Sequence, residues 1–479
     1  MNPWWQGKPG RVLPRFRRWA FERSLRGLTS GLAPITVLRG PRQVGKSTVQ
    51  DQIIRCLLEE RGVAPNRILK VQFDDIRGLS AFSLPIQSLA RWFENRILGR
   101  TFNEAAHANE PAFLLFDEVQ NLGEWATELK NLVDINTVRV LVTGSSALRI
   151  EAGRDSLAGR ISTVELGPLL LREVSALALE TNIPALLPEN GLDPLRRKET
   201  WLALQRHGVK HSAERDAAFR QWSQRGGYPR AHERRDVSWP EIADDLVETV
   251  VNRAIQHDLR QAERGRKRDE ALLREVFRLV CRYSGQAPRQ AVFRDDIRSA
   301  LSADIGWQRI QAYLKFLEAT MLVRLVPPLE LRLKKKRGPA KVCVCDHGLR
   351  AAWLQELVPL DAGALQHASH LADLAGHVAE GAAAYFLSGI QHLDIAHFPE
   401  RGSEPEVDLV LTIGEQRIPV EVKYRRTIQG HADTRGLRAF VEKSVYNAPF
   451  GVLVTLTDDV VIDDPRIVVV SLPSLLLLR

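Results

Sequence analysis

Residues 40–48 carry the clearest chemistry: Gly40, Pro41, Arg42, Gln43, Val44, Gly45, Lys46, Ser47 and Thr48. Their Gly-x-x-x-x-Gly-Lys-Ser spacing follows an apolar segment, Ile35 to Leu38, and precedes a helix-like run, Thr48 to Leu58. That order is what a phosphate-binding loop needs. Glycine lets the backbone curl around an anion, and successive N–H groups at a helix N-terminus then face the phosphates. Lys46 is expected to reach the β- and γ-phosphates of ATP, with the Ser47 hydroxyl on Mg²⁺.

A second group of residues fits the same reaction. The continuous apolar run Ala112 to Phe116 ends in Asp117 and Glu118. A run of this kind suits a central parallel strand, and open α/β sheets do their chemistry at the carboxyl ends of strands. Asp117 is expected to hold Mg²⁺ and Glu118 to polarise the attacking water. The next strand, Val138 to Thr143, ends on a polar group, so Thr143 or Ser145 is expected to sense the nucleotide. A loop arginine, Arg160 first and Arg154 second, could reach the γ-phosphate of a neighbouring subunit. It could equally pair with a local carboxylate.

A third group lies near the end of the chain. Glu406 to Ile413 and Arg417 to Lys423 read as a hairpin around the turn Gly414-Glu415-Gln416. Glu421 and Lys423 are two apart and share a face, and pairing brings Asp408 beside them. With Glu380 on a preceding helix, Asp408 and Glu421 could hold a second divalent cation, and Lys423 could orient a water. This is the Asp…Glu-x-Lys arrangement of metal-dependent nucleases. The alternative is a nuclease-like fold without turnover, used for packing or binding.

The elements that must position these groups divide the chain into four expected domains. Residues 1–168 form a P-loop ATPase core with a basic amphipathic N-terminal helix. In that helix Arg15, Arg17, Arg18, Arg23 and Arg26 are expected to point outward between Phe16, Trp19, Phe21 and Leu25. Residues 169–267 read as a helical lid and linker. Residues 268–350 carry three helices and a basic hairpin, the outline of a winged helix. Arg309 on the third helix, and Lys334, Lys335, Lys336 and Arg337 at the hairpin tip, are the candidate DNA contacts. Residues 351–479 form a small restriction-endonuclease-like α/β domain. The expected fold is therefore α/β: a P-loop NTPase parallel sheet of the additional-strand class, then lid, winged helix and nuclease-like domain.

At 479 residues the chain has room for several cores. Its formal net charge of +9 favours polyanionic partners, with DNA, duplex or branched, first; an arginine-rich codon bias would give the same balance. Four scattered cysteines, Cys56, Cys281, Cys343 and Cys345, are too few for a disulfide framework and are expected to be reduced core thiols. No apolar run is long enough to span a bilayer, and the N-terminus lacks a secretory core, so the expected compartment is the cytoplasm, with no membrane partner.

At this point the chain resembles the bacterial and archaeal AAA+-like ATPases that carry a C-terminal DUF4143 domain. The resemblance rests on residues 40–48, 115–120, 143–146, 157–160 and Gly226-Gly227-Tyr228-Pro229. In the second half it rests on Cys345-Asp346-His347-Gly348-Leu349, residues 376–380, 406–408 and 420–423. The alanine-rich stretch after Glu380 departs from the family pattern. The resemblance implies ATP hydrolysis and a nuclease-like C-terminal fold. The expected activity is an oligomeric, ring-capable, Mg²⁺-dependent ATPase acting on DNA as a motor or nuclease. The competing expectation is a nucleotide-gated switch in signalling, toxin–antitoxin or defence, with a non-catalytic C-terminal domain. A third is a translocase whose nuclease-like domain only grips DNA.

Overall fold

A computed structural model describes residues 2–73, 82–144, 157–187, 192–255, 269–330, 338–400 and 402–479. The chain forms two compact units, one ending at Gly167 and the other starting at Pro168.

The first unit is built on a five-stranded parallel sheet. Its strands are β1 (Ile35–Arg39), β2 (Ile68–Gln72), β3 (Phe113–Asp117), β4 (Arg139–Gly144) and β5 (Ile161–Glu165). Their order is β2-β3-β4-β1-β5, so β4 is inserted between β1 and β3. This is the additional-strand arrangement. Every residue of β1 and β3 is buried, which is why both read as continuous apolar runs with no alternation. One core lies between the sheet and the helices Pro85–Phe93, Phe102–His107 and Trp125–Ile135. The helices Ala20–Ser30 and Lys46–Arg55 also pack on the sheet.

The N-terminal segment differs from the expected outward-facing helix. The helix begins only at Ala20. Ahead of it, the Trp4 and Trp5 indole N–H groups both donate to the Ile68 carbonyl, at 3.2 and 3.0 Å. The Asn2 side chain pairs with the Lys70 backbone in both directions. These contacts cover the outer strand β2, whose free edge would otherwise invite pairing with another chain.

The second unit opens with helices, among them Leu171–Leu179, Lys198–Lys210, Ser212–Arg225 and Trp239–Leu246. Three further helices, Glu270–Arg282, Gln290–Leu301 and Trp307–Ala319, precede the antiparallel pair β6 (Val323–Val326) and β7 (Lys341–Val344). A second five-stranded sheet follows, of order β12-β11-β10-β9-β8. Its strands are β8 (Asp394–Phe398), β9 (Val407–Ile413), β10 (Gln416–Lys423), β11 (Gly451–Thr455) and β12 (Ile467–Ser471). β8, β9 and β10 are antiparallel, and β10, β11 and β12 are parallel. The expected boundaries after 267 and after 350 fall within this unit.

Two sequence motifs meet inside it. Gly226 ends the helix Ser212–Arg225 in a left-handed conformation, φ 71°. A Cβ there would overlap Asp346 Oδ1. The Gly227 N–H donates to Asp346 Oδ2 at 2.6 Å, while Asp346 Oδ1 accepts from the Leu349 N–H at 2.9 Å and caps the helix His347–Leu354. The fully buried Tyr228 hydroxyl lies 3.7 Å from Cys345 Sγ, and the His232 ring bonds the Gly226 carbonyl at 2.8 Å. Gly226-Gly227-Tyr228-Pro229 and Cys345-Asp346-His347-Gly348 are thus the two halves of one buried joint.

Two outcomes are expected at this joint. Gly226→Ala forces a side chain into both a left-handed backbone and a filled space, so a denaturation curve should show a loss of about 2–4 kcal/mol. Burial pushes the His232 imidazole from 6.5 down to about 4. Its contribution is therefore complete above pH ~6.5 and is lost as pH falls towards ~4, on the order of 3 kcal/mol in all. His232→Gln, which keeps a donor for Gly226, should flatten the stability–pH curve over that window.

Candidate functional site

The loop between β1 and the helix Lys46–Arg55 curls through two left-handed residues, Gln43 at φ 63° and Gly45 at φ 95°. Gly40 has to be glycine for a different reason. A Cβ there would run into the Leu166 carbonyl, just beyond β5. Leu166 N–H in turn donates to the Arg39 carbonyl at 2.8 Å, which ties the loop's start to the sheet edge. Val44 is buried, Gln43 is exposed, and Pro41, Arg42, Ser47 and Thr48 complete the loop and the start of its helix. The Lys46 ammonium turns back on its own loop and donates to the Gly40 and Pro41 carbonyls at 2.9 and 2.7 Å.

Arg18 braces this loop from behind. Its guanidinium donates to the Val44 carbonyl at 2.5 Å and to the Gly167 carbonyl at 3.0 Å, and the residue is 6% exposed. The expectation that this arginine points to solvent is therefore corrected. Main-chain carbonyls left over by the tight loop need a donor, and the guanidinium fork supplies two at once.

Strand register sets the acids. β4 pairs Thr143 with Leu38 of β1, and Val142 with Phe116 of β3. Thr143 consequently sits between the start of the loop and Asp117. Its hydroxyl donates to Asp117 Oδ1, and Asp117 also bonds the Ser47 hydroxyl. Asp117 is 2% exposed. Burial pushes its carboxyl above the ordinary aspartate value, and the Thr143 and Ser47 hydroxyls pull against that. Ser47 and Asp117, the two residues expected to hold Mg²⁺, are thus in direct contact. A hydroxyl and a carboxylate converging on one point suit a hard cation.

Glu118 follows in the left-handed region, φ 52° and ψ 41°. Its N–H lies 3.4 Å from Thr143 Oγ1, and its carboxylate accepts a hydrogen bond from the Gln120 side-chain amide. A non-glycine residue in this conformation costs on the order of 1–3 kcal/mol and concentrates at functional positions.

Arg160 lies elsewhere. It immediately precedes β5, at the amino end of the sheet, whereas the loop leaves β1 at the carboxyl end. Its guanidinium pairs with Asp134. Arg160 is therefore at the opposite end of the strands from the phosphate loop. Ser145 and Arg154 lie outside the described residues.

The C-terminal constellation forms, but not as a three-carboxylate site. The β9–β10 register, with Leu409 opposite Val420, brings Asp408 beside Glu421 as expected. The helix Ala372–Ser388 brings Glu380 to Asp408. Among the described residues, however, no group of three or more His, Cys, Asp or Glu side chains is placed to hold a metal ion. The reason is Lys341, at the head of β7. Its ammonium pairs with Glu380, reaches the Asp408 carbonyl at 3.1 Å, and lies 3.6 Å from Asp408 Oδ1. Burial disfavours its charge, but Glu380 and Asp408 more than offset that and hold it above the ordinary lysine value. Glu421 is drawn the other way, to the Lys423 ammonium at 2.6 Å. Burial and the neighbouring Asp408 push the Glu421 carboxyl up to about 8. Of the expected metal set, Glu380 and Asp408 are paired with the Lys341 ammonium and Glu421 with that of Lys423.

Of the candidate DNA contacts, Arg309 is half exposed and 3.4 Å from Asp269. Lys334, Lys335, Lys336 and Arg337 lie outside the described residues. Among the described residues no helix is long and apolar enough to cross a membrane. The four cysteines are buried and free.

Comparison with known proteins agrees with this layout. Residues 33–175 match the AAA domain family, and residues 375–475 match a domain of unknown function, DUF4143. Residues 216–358 match a further domain of unknown function, DUF8612, which spans both halves of the buried joint. An uncharacterized protein of Methanocaldococcus jannaschii is 31% identical over 34% of this chain and 33% of its own length. An uncharacterized protein of Mycobacterium tuberculosis is 24% identical over 66% of this chain and 55% of its own. The chain thus spans about a third and about half of these relatives. Domain III of the Thermotoga maritima replication initiation protein DnaA covers 36% of this chain and 70% of its own, at 15% identity and a TM-score of 0.25. The Aeropyrum pernix ORC1 protein, solved in complex with DNA, covers 74% and 96%, at 15% identity and a TM-score of 0.27. At such scores neither structure bears on the fold, which rests on the strand order above. The chain thus carries a segment that matches the AAA domain, residues 33–175, and a C-terminal segment that matches DUF4143, residues 375–475.

Proposed function

We propose that the chain is a Mg²⁺-dependent ATP hydrolase. The observation that carries this reading is the contact of Ser47, at the loop's helix, with Asp117, at the end of β3, under the hydroxyl of Thr143. The loop amides of residues 40–48 bind the triphosphate, and Lys46 exchanges the Gly40 and Pro41 carbonyls for phosphate oxygens. Ser47 and Asp117 hold the metal, which when bound neutralises charge developing on the phosphates. Glu118, freed from Gln120, orients the attacking water, and Thr143 links the occupied site to β4.

Both Lys46 and Glu118 are held by neighbours in this conformation, so turnover requires that each be released. This supports a second reading, in which the ATPase is a nucleotide-gated switch whose slow cycle times a state. In the first reading the polyanionic partner is DNA, on the strength of the net charge of +9 and the basic run Lys334, Lys335, Lys336 and Arg337.

Steady-state ATPase assays test the first reading. Lys46→Ala and Glu118→Gln should each lower kcat by at least ~100-fold, with nucleotide binding kept in Glu118→Gln and lost in Lys46→Ala. Rates within twofold of wild type for either variant would sink it. For the partner, affinity for duplex DNA should fall linearly with log salt. Replacing Lys334, Lys335, Lys336 and Arg337 together by alanine should reduce the slope by about 3–4, at ~0.9 per phosphate contact. A slope unchanged by that replacement would remove the hairpin from the interface.

A further inference from the structure

We infer that the acidic cluster of the C-terminal sheet is built around a resident cation, the Lys341 ammonium, and that this domain neither takes up a divalent metal there nor cuts nucleic acid. The side chain of Lys341 is 2% exposed. It enters from β7, outside the sheet that carries the acids, and its ammonium stands between Glu380 and Asp408. Its further bond to the Asp408 main-chain carbonyl fixes it along the strand as well as across it.

Two of the acids are also engaged from the other side, each through one oxygen. Asp408 Oδ2 accepts the Val422 N–H at 2.8 Å, and Glu421 Oε1 accepts Lys423. Glu421 Oε2 is buried beside Gly436 with no hydrogen-bond partner among the described residues, so it is the Lys341 ammonium at Glu380 and Asp408 that stands against a metal ion. A metal ion coordinated by Glu380 and Asp408 would have to share that space with a buried ammonium, and two cations at such a separation repel strongly in a poorly solvated site. Expelling Lys341 would leave a charged group without partners inside the fold. A lysine so enclosed is a structural counter-ion for the carboxylates, and it makes the cluster independent of metal supply.

The test uses the full chain without nucleotide. Mn²⁺ binding is followed by electron paramagnetic resonance, and nicking of supercoiled plasmid is assayed with Mg²⁺ or Mn²⁺. Asp408→Asn should change neither Mn²⁺ binding nor plasmid integrity by as much as twofold relative to wild type. Lys341→Ala, which removes the resident cation, should gain Mn²⁺ binding that a further Asp408→Asn change abolishes. If Lys341→Ala does not fold, the comparison of wild type with Asp408→Asn decides alone. Wild-type nicking that Asp408→Asn abolishes, or wild-type Mn²⁺ binding that it weakens tenfold, would overturn the inference.

Discussion

The nucleotide site depends on one chain of hydrogen bonds, from the Ser47 hydroxyl to the buried Asp117 carboxylate to the Thr143 hydroxyl. Three separate stretches of sequence contribute to it, and none of them is near the others along the chain. The insertion of β4 between β1 and β3 makes it close. Without that strand the loop and the acids would be direct neighbours, with no hydroxyl between them. With it, Thr143 touches the acid that would hold the metal and, through the Glu118 N–H, the residue that would orient water. The supports around the chain serve the same end: Arg18 secures the back of the loop, and the glycine at position 40 lets β1 approach the end of β5.

Buried charge is handled differently in the two units. In the first, burial pushes the Asp117 carboxyl up, against the Thr143 and Ser47 hydroxyls that pull it down. Such a group is poised to gain from a cation. In the second, the acids of the C-terminal sheet already have cations, Lys341 and Lys423. The same residue type in the same kind of position, a carboxylate at a strand, therefore has opposite meanings. Asp117 gains only a lesser contribution from the Lys70 charge, whereas the acids of the second unit pair directly with two ammonium groups.

Much of this was legible in sequence, for identifiable reasons. Residues 40–48 are readable because only a narrow set of residue types can wrap a phosphate. β1 and β3 are readable because burial on both faces leaves an unbroken apolar run. β5 is not legible as a strand: it lies at the sheet edge, and its burial alternates weakly through Ser162 and Thr163. β8 was also missed, since Asp394 and His397 interrupt its apolar pattern. Arg18 and Lys341 look like ordinary surface cations in sequence, because burial of a charge depends on partners far away in the chain. Asp408 comes beside Glu421 as the hairpin implies, and the helix Ala372–Ser388 brings Glu380 to Asp408. What the spacing could not carry was the lysine from β7 that occupies their midst. The Gly226 and Asp346 motifs were visible only as family resemblance; their contact explains them as packing.

The central claim is that main-chain amides at the start of the first unit's loop helix cradle a triphosphate. Hydrogen–deuterium exchange with and without Mg²⁺ and a non-hydrolysable ATP analogue measures it directly. The account predicts that amides of residues 40–48 slow by at least ~10-fold on addition, together with those around Asp117 and Glu118. Unchanged exchange at residues 40–48 under saturating analogue, or protection confined to the second unit, would contradict it.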